Sequence, residues 1–203
     1  MPISVAIFDA FGTLLKISDG THPYRKILKL GIEQGRRPRV SDAQDLLSIP
    51  MDLRQAAEYF GVKVEPWLMS QLESDLEREL AGIEAYSDGI AVVEALQAAG
   101  LKVAVCSNLA QPYASAIERL YPSLNGYVYS FAVGAIKPSP EIYRQALQSV
   151  FAAPADAWMI GDSQLCDCDA PTAYGIRGFY LDRKGGRGYP TLNLFAEAIL
   201  SAT

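Results

Sequence analysis

The sequence predicts an α/β fold: a parallel sheet with helices on both faces, carrying an inserted helical segment. Three observations predict it. Apolar runs end abruptly on polar residues, at Val5-Ala6-Ile7-Phe8-Asp9, at Val103-Ala104-Val105-Cys106-Ser107-Asn108 and at Trp158-Met159-Ile160-Gly161-Asp162. Runs without polar alternation read as strands covered on both faces, as in a parallel sheet. Helical segments alternate with such runs after residue 86, the pattern of βαβ units. Between the first run and the second, residues 24–80 read as helix with no strand intervening.

In chain order, Asp9 stands at the carboxyl end of the first strand, where open α/β sheets hold their ligands. Gly12 permits a sharp exit from it. Residues 16–24 are polar. Residues 24–32 space their apolar side chains at helical intervals, and Ser41 offers an N-cap for the next helix. Residues 52–60, stopped by Gly61, and residues 67–80 read as two more helices. Ser87-Asp88-Gly89 opens a helix that Gly100 ends. Residues 102–108 are a strand, 112–120 a helix and 127–133 a β-rich aromatic run. Lys137 sits in a loop before a helix over 141–150. The strand over 157–163 ends on Asp162, a short helix closes at Gly175, and 178–182 is the last strand. Residues 184–188 read as a solvated basic turn.

The chain has 203 residues, half of them apolar, and a formal net charge of −5. That length suits one large domain, or one domain with a smaller insert. The charge argues against a nucleic-acid partner, because phosphate backbones attract clustered Lys and Arg. A small anionic substrate remains compatible with a local positive pocket or a metal. Three cysteines do not read as a disulfide framework, so a reducing cytoplasm is expected. The apolar start lacks a basic lead and is not expected to be a signal peptide. No run approaches the ~20 apolar residues of a membrane span. The sequence is compatible with a monomer or a homodimer.

In a parallel sheet the carboxyl ends of the strands face one side. Asp9, Ser107-Asn108, Lys137 and Asp162 with Asp167 would therefore converge on one pocket. Read together as Asp9-Ala10-Phe11-Gly12-Thr13-Leu14, Ser107-Asn108, Lys137-Pro138 and Gly161-Asp162-Ser163 with Asp167, these stretches resemble the four ordered motifs of the haloacid dehalogenase superfamily of hydrolases. The resemblance covers essentially the whole chain and is to the type with a helical cap between the first and second motifs. It implies a Rossmann-like catalytic core of residues 1–15 and 86–203 and a helical cap domain of residues 16–85.

The resemblance also implies roles. Asp9 would be the nucleophile, forming a covalent intermediate that water hydrolyses. Mg²⁺ would be held by Asp9, the backbone carbonyl of Phe11 and Asp162, an all-oxygen set of the kind this ion takes. Ser107, Asn108 and Lys137 would hold phosphoryl oxygens, with Thr13 adding a hydroxyl. Asp167 would hold Lys137 rather than the metal.

One position departs from the phosphatase pattern. Most phosphatases of the family carry a second Asp two residues after the nucleophile, as acid and base; here it is Phe11. Such help typically contributes ~10²–10⁴-fold. An aromatic there resembles the 2-haloacid dehalogenases, whose halide leaving group needs no proton. Those enzymes are implied to work without metal, with serine where this chain has Asp162, and with a cap arginine for the halide. Arg36, Arg37 and Arg39 are the candidates for that arginine, against a solvated basic loop. Asp162 beside Asp9 without a cation would be repulsive. The reading is thus a Mg²⁺-dependent hydrolase of a small phosphorylated substrate. The alternatives are a metal-independent 2-haloacid dehalogenase, or a catalytically weak binding protein on the same fold. His22, the one histidine, reads as a surface or capping residue, with substrate contact as the alternative.

Overall fold

The computed structural model describes residues 3–202. In chain order its elements are β1 (Val5–Phe8), β2 (Leu15–Ile17), α1 (Pro23–Glu33), α2 (Asp42–Ser48), α3 (Leu53–Tyr59), α4 (Pro66–Ala81), β3 (Ile83–Ala85) and α5 (Ser87–Ala98). They continue with β4 (Lys102–Ser107), α6 (Ala114–Leu120), β5 (Gly126–Tyr129), α7 (Ser130–Val133), α8 (Pro140–Ser149), β6 (Ala157–Gly161), α9 (Ala170–Tyr174), β7 (Arg177–Tyr180) and α10 (Leu192–Leu200). Five strands form one parallel sheet in the order β5-β4-β1-β6-β7, a Rossmann-like arrangement with β1 at its centre.

The unbroken apolar run of β1 follows from burial on both faces. Ala6 and Phe8 pack into a core with Val92, Leu96, Phe195 and Ile199 of α5 and α10. Val5 and Ile7 pack the other way, against Ile142, Tyr143 and Leu147 of α8. A strand serving two cores has no room for a polar residue until it ends, and that residue is Asp9. Among the described residues no helix is long and apolar enough to cross a membrane.

Helices α1 to α4 pack around an apolar cluster of their own, including Tyr24, Ile27, Leu53, Phe60, Met69 and Leu72. Where the chain leaves and re-enters the sheet-bearing part, β2 and β3 pair antiparallel, with Leu15 opposite Ala85 and Ile17 opposite Ile83. The sequence expectation had only polar text at 16–24. Three-residue strands are too short to show a period, so only the pairing reveals them.

Other boundaries differ for physical reasons. The β-rich run expected over 127–133 stops at Tyr129. There the Ser130 hydroxyl donates to the Leu47 carbonyl and accepts from the Leu109 N–H, turning the chain into α7. Ser41 occupies the N-cap position of α2 but makes no capping bond; the Asp42 carboxylate takes the Arg39 N–H instead. Asp88 likewise serves Arg183 and the Leu192 N–H. The helix α10 was not anticipated, although Leu192, Phe195, Ala196 and Ile199 carry its buried stripe.

One buried carboxylate ties the four-helix unit to the sheet-bearing part. Glu79 of α4 accepts from the Thr21 and His22 backbone N–H groups, from the Thr21 hydroxyl and from the Tyr113 hydroxyl at 2.6 Å. Burial alone would raise its pKa, but these donated bonds hold it below the usual carboxylate range. A carboxyl with a lowered folded pKa contributes stability above its unfolded pKa and loses it as pH falls through the folded value. Glu79→Gln is expected to destabilise the protein by about 1–3 kcal/mol at pH 7, since an amide puts a donor where four donors converge. Thermal unfolding against pH should show the gap from the parent closing below about pH 4.

Candidate active site

The register of the sheet brings three strand ends to one place. Phe8 is level with Val105 on one side and Ile160 on the other. Asp9, Ser107 and Asp162 therefore leave neighbouring strands at the same edge. Lys137 enters from the loop before α8, and its ammonium is 3% exposed. It donates to Asp9 Oδ1 at 2.7 Å and to Asp167 Oδ1 at 2.6 Å. The Ser107 hydroxyl also donates to Asp9 Oδ1, at 3.2 Å, and Asp9 Oδ2 has no hydrogen-bond partner among the described residues. Asn108 brackets the Lys137 peptide: its Oδ1 accepts the Lys137 N–H at 2.7 Å and its Nδ2 donates to the Lys137 carbonyl at 3.0 Å. Asp167, carried inward on a π-helical stretch, Gln164–Asp169, takes the Ser163 N–H on Oδ2.

Two glycines make this convergence possible. Gly12 lies at φ +89°, and a Cβ there would stand 2.0 Å from Asp162 Oδ2. A Cβ on Gly161 would stand 2.4 Å from the Asp167 carboxyl carbon and 2.7 Å from the Asp9 Cβ. Any side chain at either position would push the carboxylates apart.

Asp9, Asp162 and Asp167 each bring a carboxylate oxygen within 4.8 Å of the others. Of these three carboxylates, Asp9 and Asp167 pair with the Lys137 ammonium and Asp162 does not. Burial would lower the Lys137 pKa, but Asp9 and Asp167 raise it well above the ordinary lysine value. Burial pushes the Asp167 carboxyl up to about 6, against the pull of Lys137. Burial and then the Asp9 charge push Asp162 up as well. The excess of negative charge is what a divalent cation would relieve. The donor set is all oxygen, the kind Mg²⁺ takes. Asp162 is open to solvent, which suits an ion that keeps several waters. The loop after Asp9 is closed by Leu15 N–H to the Ala10 carbonyl and Gly12 N–H to the Leu15 carbonyl. Neither bond uses the Phe11 carbonyl.

Not every expected residue joins the cluster. Thr13 is fully enclosed and its hydroxyl has no partner, so it is not open to a ligand. Its carbonyl accepts from Arg183, whose guanidinium also grips Asp88 and lies 3.9 Å from the Tyr86 ring centroid. Arg36 is committed to Asp42 through two bonds and stacks over Phe60. The halide-binding expectation for Arg36 therefore lacks a free guanidinium, and Arg37 and Arg39 are exposed. A cavity of about 220 Å³ opens beside Phe11 and Asn108, and its arginine is Arg25. Sequence reading missed Arg25, which lines this cavity, and Glu79, Tyr113 and Arg183, whose partners lie far along the chain and leave no local signal.

A model of haloacid dehalogenase-like hydrolases matches residues 3–175. A mouse protein described as haloacid dehalogenase-like hydrolase domain-containing protein 3 is 39% identical over 82 residues, 39% of this chain and 33% of that one. The chain thus spans about a third of that relative, and about half of its zebrafish counterpart. A phosphatase of the family from Thermococcus onnurineus has the same fold, with a TM-score of 0.70 at 20% identity over 97% of this chain and 98% of that one. An L-2-haloacid dehalogenase also does, with a TM-score of 0.66 at 19% identity over 98% and 99%. With most of its length matched by the family model, this chain belongs to the haloacid dehalogenase-like hydrolases.

Proposed function

We propose that the chain is a magnesium-dependent hydrolase of small phosphorylated compounds, acting through Asp9. The observation that carries this reading is the cluster of three carboxylates, of which the one ammonium pairs with only two. Asp9, the Phe11 carbonyl and Asp162 would hold the Mg²⁺, which when bound offsets the repulsion between an anionic nucleophile and an anionic phosphoryl group. Asp9 Oδ2, the oxygen left without a hydrogen bond, attacks phosphorus while Lys137 and Ser107 fix Oδ1. An aspartyl phosphate forms and water hydrolyses it. Lys137 and Ser107 also face the phosphoryl oxygens, Asn108 keeps the Lys137 peptide in place and Asp167 anchors its ammonium.

The helical unit between residues 16 and 85 acts as the cap. It walls the cavity opposite Phe11 with Tyr24, Arg25 and Leu46. Free cysteines at 106, 166 and 168 suit a reducing cytoplasm. Phe11 cannot donate a proton, which favours leaving groups that depart as anions. The same residue favours a second reading, a 2-haloacid dehalogenase, and the dehalogenase neighbour shares the fold. The electrostatic cost of Asp162 beside Asp9 without a cation counts against it.

Purified protein is expected to release phosphate from p-nitrophenyl phosphate only with Mg²⁺, and Asp9→Asn to cut kcat on the order of 10³-fold or more. Chloride release from 2-chloropropionate that persists in a chelator would instead support the dehalogenase. Gly12→Ala should force Asp162 away from the loop and weaken Mg²⁺ binding at least about tenfold by calorimetry, while lowering stability by about 1–2 kcal/mol through the strained φ.

A further inference from the structure

We propose that His22 is the proton donor to the leaving group, supplying from the helical unit the acid that Phe11 lacks. The proposal rests on the phosphoryl-transfer reading above. The cavity beside Phe11 is lined on one side by Asn108 and Tyr113 and on the other by His22 and Arg25. The Phe11 ring meets Tyr113 edge-on at 5.8 Å, so this part of the wall is aromatic.

The titratable groups facing this cavity are His22, Tyr24, Arg25, Glu79 and Tyr113. Four of them are unsuited to give a proton. Glu79 already accepts four bonds as a carboxylate. The Tyr24 hydroxyl donates to the Met51 carbonyl at 2.7 Å, and Tyr113 donates to Glu79. Burial raises both phenols further above their ordinary value. A guanidinium such as Arg25 keeps its protons. Lys26, one turn along α1, is paired with Asp75. The imidazole of His22 makes no hydrogen bond among the described residues, and imidazoles are the side chains that exchange protons between pH 5 and 8.

The turn around His22 is built to present it. Its backbone is left-handed, at φ +52° and ψ +54°, a costly conformation for a residue with a Cβ. Glu79 fixes that turn by taking the Thr21 and His22 N–H groups. A Cβ on Gly20 would stand 2.6 Å from His22 Cε1 and 2.9 Å from Nε2, so Gly20 makes room for the ring. His22 also occupies the N-cap position of α1 without capping it, which leaves the ring free.

The step balances. As Asp9 takes the phosphoryl group, the P–O bond to the leaving group breaks and the imidazolium gives its N–H proton to that oxygen. The neutral imidazole then accepts a proton from the water that attacks the aspartyl phosphate, restoring the imidazolium, free Asp9 and inorganic phosphate.

The test compares phenyl phosphate, whose leaving group needs a proton, with 2,4-dinitrophenyl phosphate, whose leaving group does not. In Mg²⁺, His22→Asn should lose about 10²-fold or more in kcat on the first and less than about tenfold on the second. On phenyl phosphate the parent's rate should fall as pH rises through the imidazole titration, and the variant should lack that limb. Equal loss on both substrates, or loss on neither, overturns the role of His22 while leaving the phosphatase reading intact. A parent inactive on both overturns that reading and this one with it. Because the chain has one histidine, its imidazole proton resonance gives a check independent of turnover. Inorganic phosphate with Mg²⁺ should raise the pH at which that resonance titrates, and a resonance that does not move overturns the proposal.

Discussion

The site depends on one buried ammonium shared by two carboxylates. Taking a lysine out of water is costly, and Lys137 is almost fully enclosed. Asp9 and Asp167 offset that cost from opposite sides, at 2.7 and 2.6 Å. The arrangement works in both directions. Without Lys137, Asp9 and Asp167 would repel each other across the Gly161 backbone; without either carboxylate, the ammonium would be under-compensated. Asn108 adds no charge but fixes the lysine's peptide at both its N–H and its carbonyl, so the ammonium arrives from a set direction. One carboxylate, Asp162, remains outside this balance. It faces solvent and has no salt bridge of its own among the described residues.

The sheet supplies the precision this arrangement needs. Five parallel strands place the ends of β1, β4 and β6 side by side, and helices on both faces lock β1 between two cores. A carboxylate at the end of such a strand, as Asp9 is, has little freedom to drift. Behind it, Arg183 joins the loop after Asp9 to α5 through Thr13 and Asp88, while Asp88 also takes the first N–H of α10. Helix α10 and the loop after Asp9 are therefore braced by the same guanidinium–carboxylate pair.

Much of this was legible in the sequence because it is local. An apolar run that stops at Asp9, the pair Ser107-Asn108 and the step Gly161-Asp162 each report a strand end within a few residues. Even the glycines carry information, since Gly12 and Gly161 stand where carboxylates crowd. The stripe of α10, Leu192, Phe195, Ala196 and Ile199, is equally local. What could not be read is the set of contacts between distant segments. Glu79 meets Tyr113 across 34 positions and Arg183 meets Thr13 across 170, and neither partner's neighbourhood hints at the other. Arg36 shows the converse error: its neighbours suggest a free basic loop, yet folding pairs it with Asp42 and Phe60.

Tyr113 joins these two levels. Its ring supports Phe11, two residues after Asp9, and its hydroxyl donates to Glu79, which fixes the start of α1. An aspartate at position 11 would present a charge to that ring and lose the edge-on contact. Phe11 instead makes the wall beside Asp9 part of the seam between the two helical and sheet-bearing units. Phe11 packs against the core cluster that Tyr113 and Leu80 share with the helical unit, so the cavity wall at Phe11 belongs to both units. An aromatic at position 11 thus offers no proton on the sheet side, while its contact with Tyr113 ties the cavity wall to the unit above it.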